Sequence, residues 1–203
     1  MKRILVIVVM LAGFSVSASA QYEIAIQGAV ELPLDELKWV FKPGVGLSAI
    51  VSKTKRYKKK GSAWGFGIGY AKFTPKEDIF YYLVNNSEVG SIRYDDMMSF
   101  QLSAQFRKEF NITKEFGLFG GFELGLYYTK FGYDSHDPYN STSSDSFIGR
   151  YVLAPKGGVN YQLTKNVGVF YQAKYAVSLS NSDLRDDKIN YYLVNSLGLT
   201  FRF

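Results

Sequence analysis

The chain has 203 residues, 24 Lys and Arg against 18 Asp and Glu, one histidine and no cysteine. Without cysteine there is neither a disulfide framework nor a lipid-modified N-terminal Cys, so the fold rests on backbone pairing and packing. Aromatics are 17% of the residues, with 16 Tyr and 16 Phe, and Gly outnumbers Pro by 19 to 5, a mix that suits closely packed strands between aromatic girdles.

In chain order, Lys2 and Arg3 form a short basic region, Ile4 to Phe14 an apolar run, and Ala18-Ser19-Ala20 a small-residue cleavage site. Together they predict a secretory signal peptide over 1–20 and a mature chain from Gln21. The apolar run is too short for a spanning helix, and no other stretch reaches the roughly 20 apolar residues one requires. From Gln21 onward the period is two rather than 3.6. It is clearest at 100–107, where Phe100, Leu102, Ala104 and Phe106 alternate with Gln101, Ser103, Gln105 and Arg107.

This pattern predicts eight strands near 22–31, 40–52, 62–73, 94–108, 115–131, 150–162, 167–179 and 190–203. The connections at 109–114 and 163–166 are short, and those at 32–39, 74–93, 132–149 and 180–189 are long or polar. Segment 53–61 is a long member of the short set. Residues 21–203 therefore read as one domain.

Charge follows the same division. Segments 31–38, 74–92, 132–149 and 180–189 hold twelve acidic residues against four basic ones. The segment 53–61 carries Lys53, Lys55, Arg56, Lys58, Lys59 and Lys60, a basic turn suited to lipid phosphates or an acidic protein partner, or to simple solvation. With the apolar face toward lipid, the inward set includes Glu23, Gln27, Gln101, Gln105, Arg107, Glu123, Lys156, Asn160, Gln162, Gln172, Lys174 and Arg202. Eight strands leave room only for side chains, so a filled polar core is expected, with Glu123 and Lys174 in contact. Gly65, Gly67 and Gly69 are expected to make room for the long basic groups opposite.

Catalysis has little support. Ser135, His136 and Asp137 are consecutive, and neighbours in sequence do not converge as nucleophile, base and orienter. Asp134, His136, Asp137 and Asp145 match no calcium-loop spacing. No cofactor is expected, and nucleic acid is an unsuited partner because the basic run lacks a reading element.

The chain ends Ser196-Leu-Gly-Leu-Thr-Phe-Arg-Phe203, which places Phe201 and Phe203 on one face of a last strand, with Gly198 permitting close approach. This tail resembles the C-terminal insertion signal of bacterial outer-membrane β-barrels, with Ser196, Gly198, Phe201 and Phe203 carrying the likeness. The mature chain as a whole is similar to the small OmpA-like and OmpX-like barrels and their Bacteroidetes relatives, including the late hairpin at 153–169.

The resemblance implies an all-β fold: an eight-stranded antiparallel up-and-down transmembrane β-barrel in the bacterial outer membrane, both termini periplasmic. It implies outer-membrane lipid, lipopolysaccharide and the barrel-assembly machinery as partners, and leaves room for a periplasmic or surface protein partner. Arg107, Glu123, Lys156, Lys174 and Arg202 then form a polar lumen network. The functional expectation is a non-enzymatic structural or surface-interaction barrel. The alternatives are an accessory of a type IX-like secretion machine, with the basic turn as its handle, and a narrow transport channel.

Overall fold

The computed structural model describes residues 21–57, 60–84, 88–136, 139, 141–180 and 189–203. The signal peptide expected over 1–20 lies outside the described residues. Among the described residues ten strands form: β1 (Gln21–Pro33), β2 (Gly44–Tyr57), β3 (Lys60–Phe73), β4 (Phe80–Val84), β5 (Glu88–Tyr94), β6 (Met97–Asn111), β7 (Phe116–His136), β8 (Ser141–Gln162), β9 (Val167–Ser180) and β10 (Ile189–Arg202). A single helical turn, α1 (Leu37–Val40), follows β1.

Eight of the strands close on themselves in the order β1-β2-β3-β6-β7-β8-β9-β10, with every pairing antiparallel and β10 returning to β1. The last seam runs from Glu23 opposite Arg202 to Pro33 opposite Tyr192, and it is finished by the Phe203 N–H donating to the Tyr22 carbonyl at 2.9 Å. Closure satisfies the edge groups that an open sheet would expose. This is the expected eight-stranded up-and-down barrel.

Two of the short connections are built alike. Ile112-Thr-Lys-Glu115 and Leu163-Thr-Lys-Asn166 share an apolar residue, Thr and Lys in the same order. In each, the first two backbone N–H groups donate to the carbonyl that opens the next strand, Phe116 or Val167. Thr113 Oγ1 accepts from Glu115 N–H and Phe116 N–H, and Thr164 Oγ1 accepts from Asn166 N–H and Val167 N–H. The hydroxyl thus takes up amides that a tight reversal leaves unpaired.

The other end departs from the sequence reading in three places. Strand β2 begins at Gly44 rather than near residue 40, because Leu37–Val40 winds into α1, whose first amide donates to Asp35 Oδ1 at 3.1 Å. The segment 74–93, expected as a loop, contains the hairpin β4–β5. The segment 132–149 is mostly strand: β7 and β8 are 21 and 22 residues long, about twice what a membrane crossing requires. Ser91–Tyr94 of β5 pairs with Tyr133–His136 of β7, so β4, β5, β7 and β8 continue as a small sheet beyond the barrel rim.

The segment 53–61 also differs. Lys53, Lys55 and Arg56 belong to β2 and Lys60 to β3, with pairing that continues down to Tyr57 opposite Lys60. Lys58 and Lys59 lie outside the described residues. The basic turn is therefore largely strand wall, because ladder pairing persists past the last apolar side chains.

Candidate functional site

Alternation turns every second side chain of the eight strands into a shared lumen. Nearest the short-turn end, Glu23 of β1 is 1% exposed and lies between two guanidinium groups. Its Oε1 accepts from Arg107 and its Oε2 accepts from Arg202 Nε at 2.8 Å. Arg107 Nε also donates to Glu109 Oε1 at 3.0 Å. One strand contributes the carboxylate, and the basic partners come from β6 and β10.

In the middle of the barrel, Glu123 of β7 meets two ammonium groups. Lys174 Nζ of β9 is 3.0 Å from Oε1 and Lys156 Nζ of β8 is 3.8 Å from Oε2. Tyr127 O–H donates to Glu123 Oε1 at 3.2 Å and accepts from Lys174 Nζ at 3.1 Å. Lys156 also donates to Gln105 Oε1. Around this centre Gln101 donates to Glu31 Oε1, and Gln172 to Gln27 Oε1, both at 2.9 Å. All five network residues named from the sequence face inward, in two layers: Arg107 and Arg202 on Glu23, Lys156 and Lys174 on Glu123.

Two features of the lumen correct the sequence reading. The core is polar only in part: toward the long-loop end, Phe41, Phe73, Met97, Phe131, Tyr192 and Val194 pack together, with Leu37 and Val40 of α1 against them. At that level the rule of an apolar outer face inverts in places: Phe73 and Phe131 point inward while the adjacent Lys72 and Lys130 point outward, each paired with an aspartate. The glycines of β3 do not make room for Arg or Lys. A side chain at Gly65 would strike Ser52 and the Val51 carbonyl, at Gly67 Ser103 and Ile50, and at Gly69 Ser48 and Gln101.

The interior has little free space. Cavities beside Glu31, Gln101 and Lys174, and beside Phe73, Met97 and Tyr192, measure about 10 Å³ each, roughly what a single water needs. A recess of about 170 Å³ opens at the long-loop mouth between α1, Tyr94, Arg150 and Tyr192. Its polar groups are mutually engaged: Arg150 donates to Asn190 Oδ1, and Asn190 Nδ2 donates to Asp35 Oδ2 at 2.7 Å.

The outer face is the reverse. Leu47, Phe66, Ile68, Phe100, Leu102 and Leu197 are among the large apolar side chains left exposed on it, each by at least half, in a continuous belt around a closed sheet. Such a belt is far larger than the apolar patches soluble monomers expose, and it matches the lipid face of a spanning barrel. The chain is a transmembrane β-barrel.

In this barrel the tail residues divide by phase. Ser196 and Gly198 face the lumen, while Phe201 and the exposed Phe203 face outward. Gly198 is required sterically: an added Cβ would lie 2.6 Å from both the Phe170 ring and the Ile26 carbonyl. Lys53 and Lys55 of β2 and Lys60 of β3 point outward, and Lys108 of β6, not singled out from the sequence, joins them. Among the described residues none of the four has a carboxylate partner. In the loop sheet, Ser135 Oγ is within hydrogen-bond reach of Tyr82 Oη and His136 Nδ1 of Ser141 Oγ, so these two side chains face different neighbours. Asp137 lies outside the described residues.

No protein-family model matches the chain, and no curated protein sequence does. Among solved structures, the barrel is similar to Ail, the attachment invasion locus protein of Yersinia pestis, at 17% identity over 91% of this chain and 99% of that one, with a TM-score of 0.47. It is similar to Neisserial surface protein A at 16% identity over 90% and 97%, TM-score 0.49. It is also similar to the outer membrane protease OmpT from Escherichia coli at 10% identity over 94% and 99%, TM-score 0.47. At these levels no activity transfers to this chain, and the fold stands on its own strand pairing.

Proposed function

We propose that the protein is a non-enzymatic outer-membrane barrel whose work is done by its wall and its loop-end surface, in a structural or surface-interaction role. The observation that carries this reading is the contrast between the two parts of the molecule. The lumen is occupied by charge pairs and an aromatic plug, while β4, β5, β7 and β8 rise beyond the rim and expose Tyr81, Leu83, Val89 and Phe147, each by more than half. Exposed apolar and aromatic side chains on a sheet are suited to a macromolecular partner.

The orientation we propose puts the short turns and both termini in the periplasm and the long connections outside. A transport channel is disfavoured by the paired charges across the lumen. A secretion-machine accessory using the basic segment as a periplasmic handle is disfavoured because Lys53, Lys55 and Lys60 lie on the outward wall.

Trypsin added to intact cells tests the arrangement. Cleavage at Lys76 or Arg93 around the β4–β5 hairpin, with the turns at Lys114 and Lys165 protected, is the expected result. Cleavage at those turns with the hairpin spared would reverse the orientation. A photo-cross-linker placed at Leu83 should then trap a macromolecule outside the cell, and repeated failure to trap one would leave a purely structural role.

A further inference from the structure

The outward lysines at the short-turn end do not scatter. On the outer face of the wall, Ser62 of β3 is opposite Lys55 of β2 and opposite Lys108 of β6. Lys60 and Trp64 lie two residues before and after it on the same face of β3, and Lys53 stands opposite Trp64. With adjacent strands about 4.8 Å apart and same-face residues about 6.8 Å apart along a strand, these four lysines occupy positions around one small hydroxyl side chain. The next residue in that row, Gly120 opposite Lys108 on β7, adds no side chain. The result is a shallow cationic basin with a hydroxyl at its floor.

What lies beside the basin decides its occupant. The same four strands carry, just beyond Trp64 and Phe106, an outward groove of about 700 Å³ whose lining is almost wholly apolar. Ala104 is its low point, between Phe66 and Leu124, with Leu102 and Leu126 in the next row and Ala49 on the far side of Ile68. Its lining falls in two rows across the strands, Val51, Phe66, Ala104 and Leu124 in the nearer and Ala49, Ile68, Leu102 and Leu126 in the farther, and Trp64 stands in the row between the nearer one and the basin, where indole rings settle at a membrane interface. An acidic soluble protein would use the basin and leave the groove empty. A molecule with an anionic head and an acyl tail uses both.

We infer that this face is a binding site for an anionic phospholipid, with Lys55, Lys60, Lys108 and Ser62 on the phosphate and headgroup, Lys53 beside them, and an acyl chain in the groove over Ala104, between Phe66 and Leu124. The inference rests on the membrane-spanning reading and, for assigning the lipid to the inner leaflet, on the proposed orientation. Clustered ammonium groups with no carboxylate partner among the described residues attract anionic headgroups at a membrane surface. The groove supplies what a plain basic patch lacks, a reason to retain one lipid rather than a diffuse layer.

The test uses the full mature barrel in detergent micelles, where orientation plays no part. Dioleoyl phosphatidylglycerol and dioleoyl phosphatidylcholine, which share acyl chains, are added separately and retained lipid is counted by native mass spectrometry. The barrel should retain the anionic lipid at least tenfold better. A Lys55→Gln, Lys60→Gln, Lys108→Gln variant should lose that preference, whereas Lys165→Gln in another turn at the same end should keep it. Ala104→Trp, which fills the groove, should weaken retention of both lipids. Folding of each variant is checked by heat-modifiable migration, and single Lys55→Gln and Lys108→Gln changes replace the triple variant if it fails that check. Equal retention of the two lipids by the unaltered barrel, a preference that survives loss of the lysines, or stronger retention of lipopolysaccharide would each overturn the inference. Trypsin on intact cells reads the orientation separately, so failure of one leaves the other standing.

Discussion

Glu123 holds two ammonium groups at the centre of the barrel, and neither has another carboxylate within ion-pair distance among the described residues. Removing it by Glu123→Ala should leave Lys156 and Lys174 buried without their counter-charge. Breaking a buried pair from one side costs about 3–5 kcal/mol, so unfolding in urea should shift to clearly lower denaturant, and an unchanged midpoint would mean that the lysines find other partners. Gly198 is the second sensitive point. Because an added Cβ would meet the Phe170 ring and the Ile26 carbonyl, Gly198→Ala should destabilise by about 1–3 kcal/mol, the usual range for overpacking. Phe170→Leu in the same chain should restore part of that loss, and no rescue would point to the Ile26 backbone instead. The inward phase of Glu23, Arg107, Glu123, Lys156, Lys174 and Arg202 was legible from alternation alone. Which of them would touch was only partly so, since strand register across the barrel is not written in any one strand. Phe73 and Tyr192 were missed because aromatics on a barrel strand read as lipid-facing.

At the scale of elements, the last strand joins assembly to closure. Phe201 lies opposite Ile24 on one side and Val167 on the other, and Phe203 bonds back to Tyr22. Polar replacement of Phe201 or Phe203 removes the aromatic outer face without touching the lumen. Pulse-chase fractionation should show less barrel reaching the membrane in each variant, and unchanged assembly of both would reduce the tail to an ordinary closing strand. Strand centres were readable because lipid on one side and lumen on the other enforce a period of two. The rim elements were not. Phe80-Tyr-Tyr-Leu-Val84 is apolar at five consecutive positions and offers no alternation. The upper part of β8, Ser141-Thr-Ser-Ser-Asp-Ser146, is polar at every position, and only its pairing with β7 makes it a strand. Helix α1 is too short to impose a period at all.

For the whole molecule, the defining property is a wall that is apolar outside and an interior that is shut. The polar half is closed by paired charges and the other half by Phe41, Phe73, Met97 and Phe131 beneath α1, and an eight-stranded barrel has room for little else. The most direct measurement is planar-bilayer recording of the purified protein, with folded insertion confirmed by heat-modifiable migration of the same preparation. Folded, inserted barrel with no sustained large conductance is the expected result. A steady porin-like conductance from that preparation would contradict the closed lumen and, with it, the assignment of function to the wall and the loop-end surface.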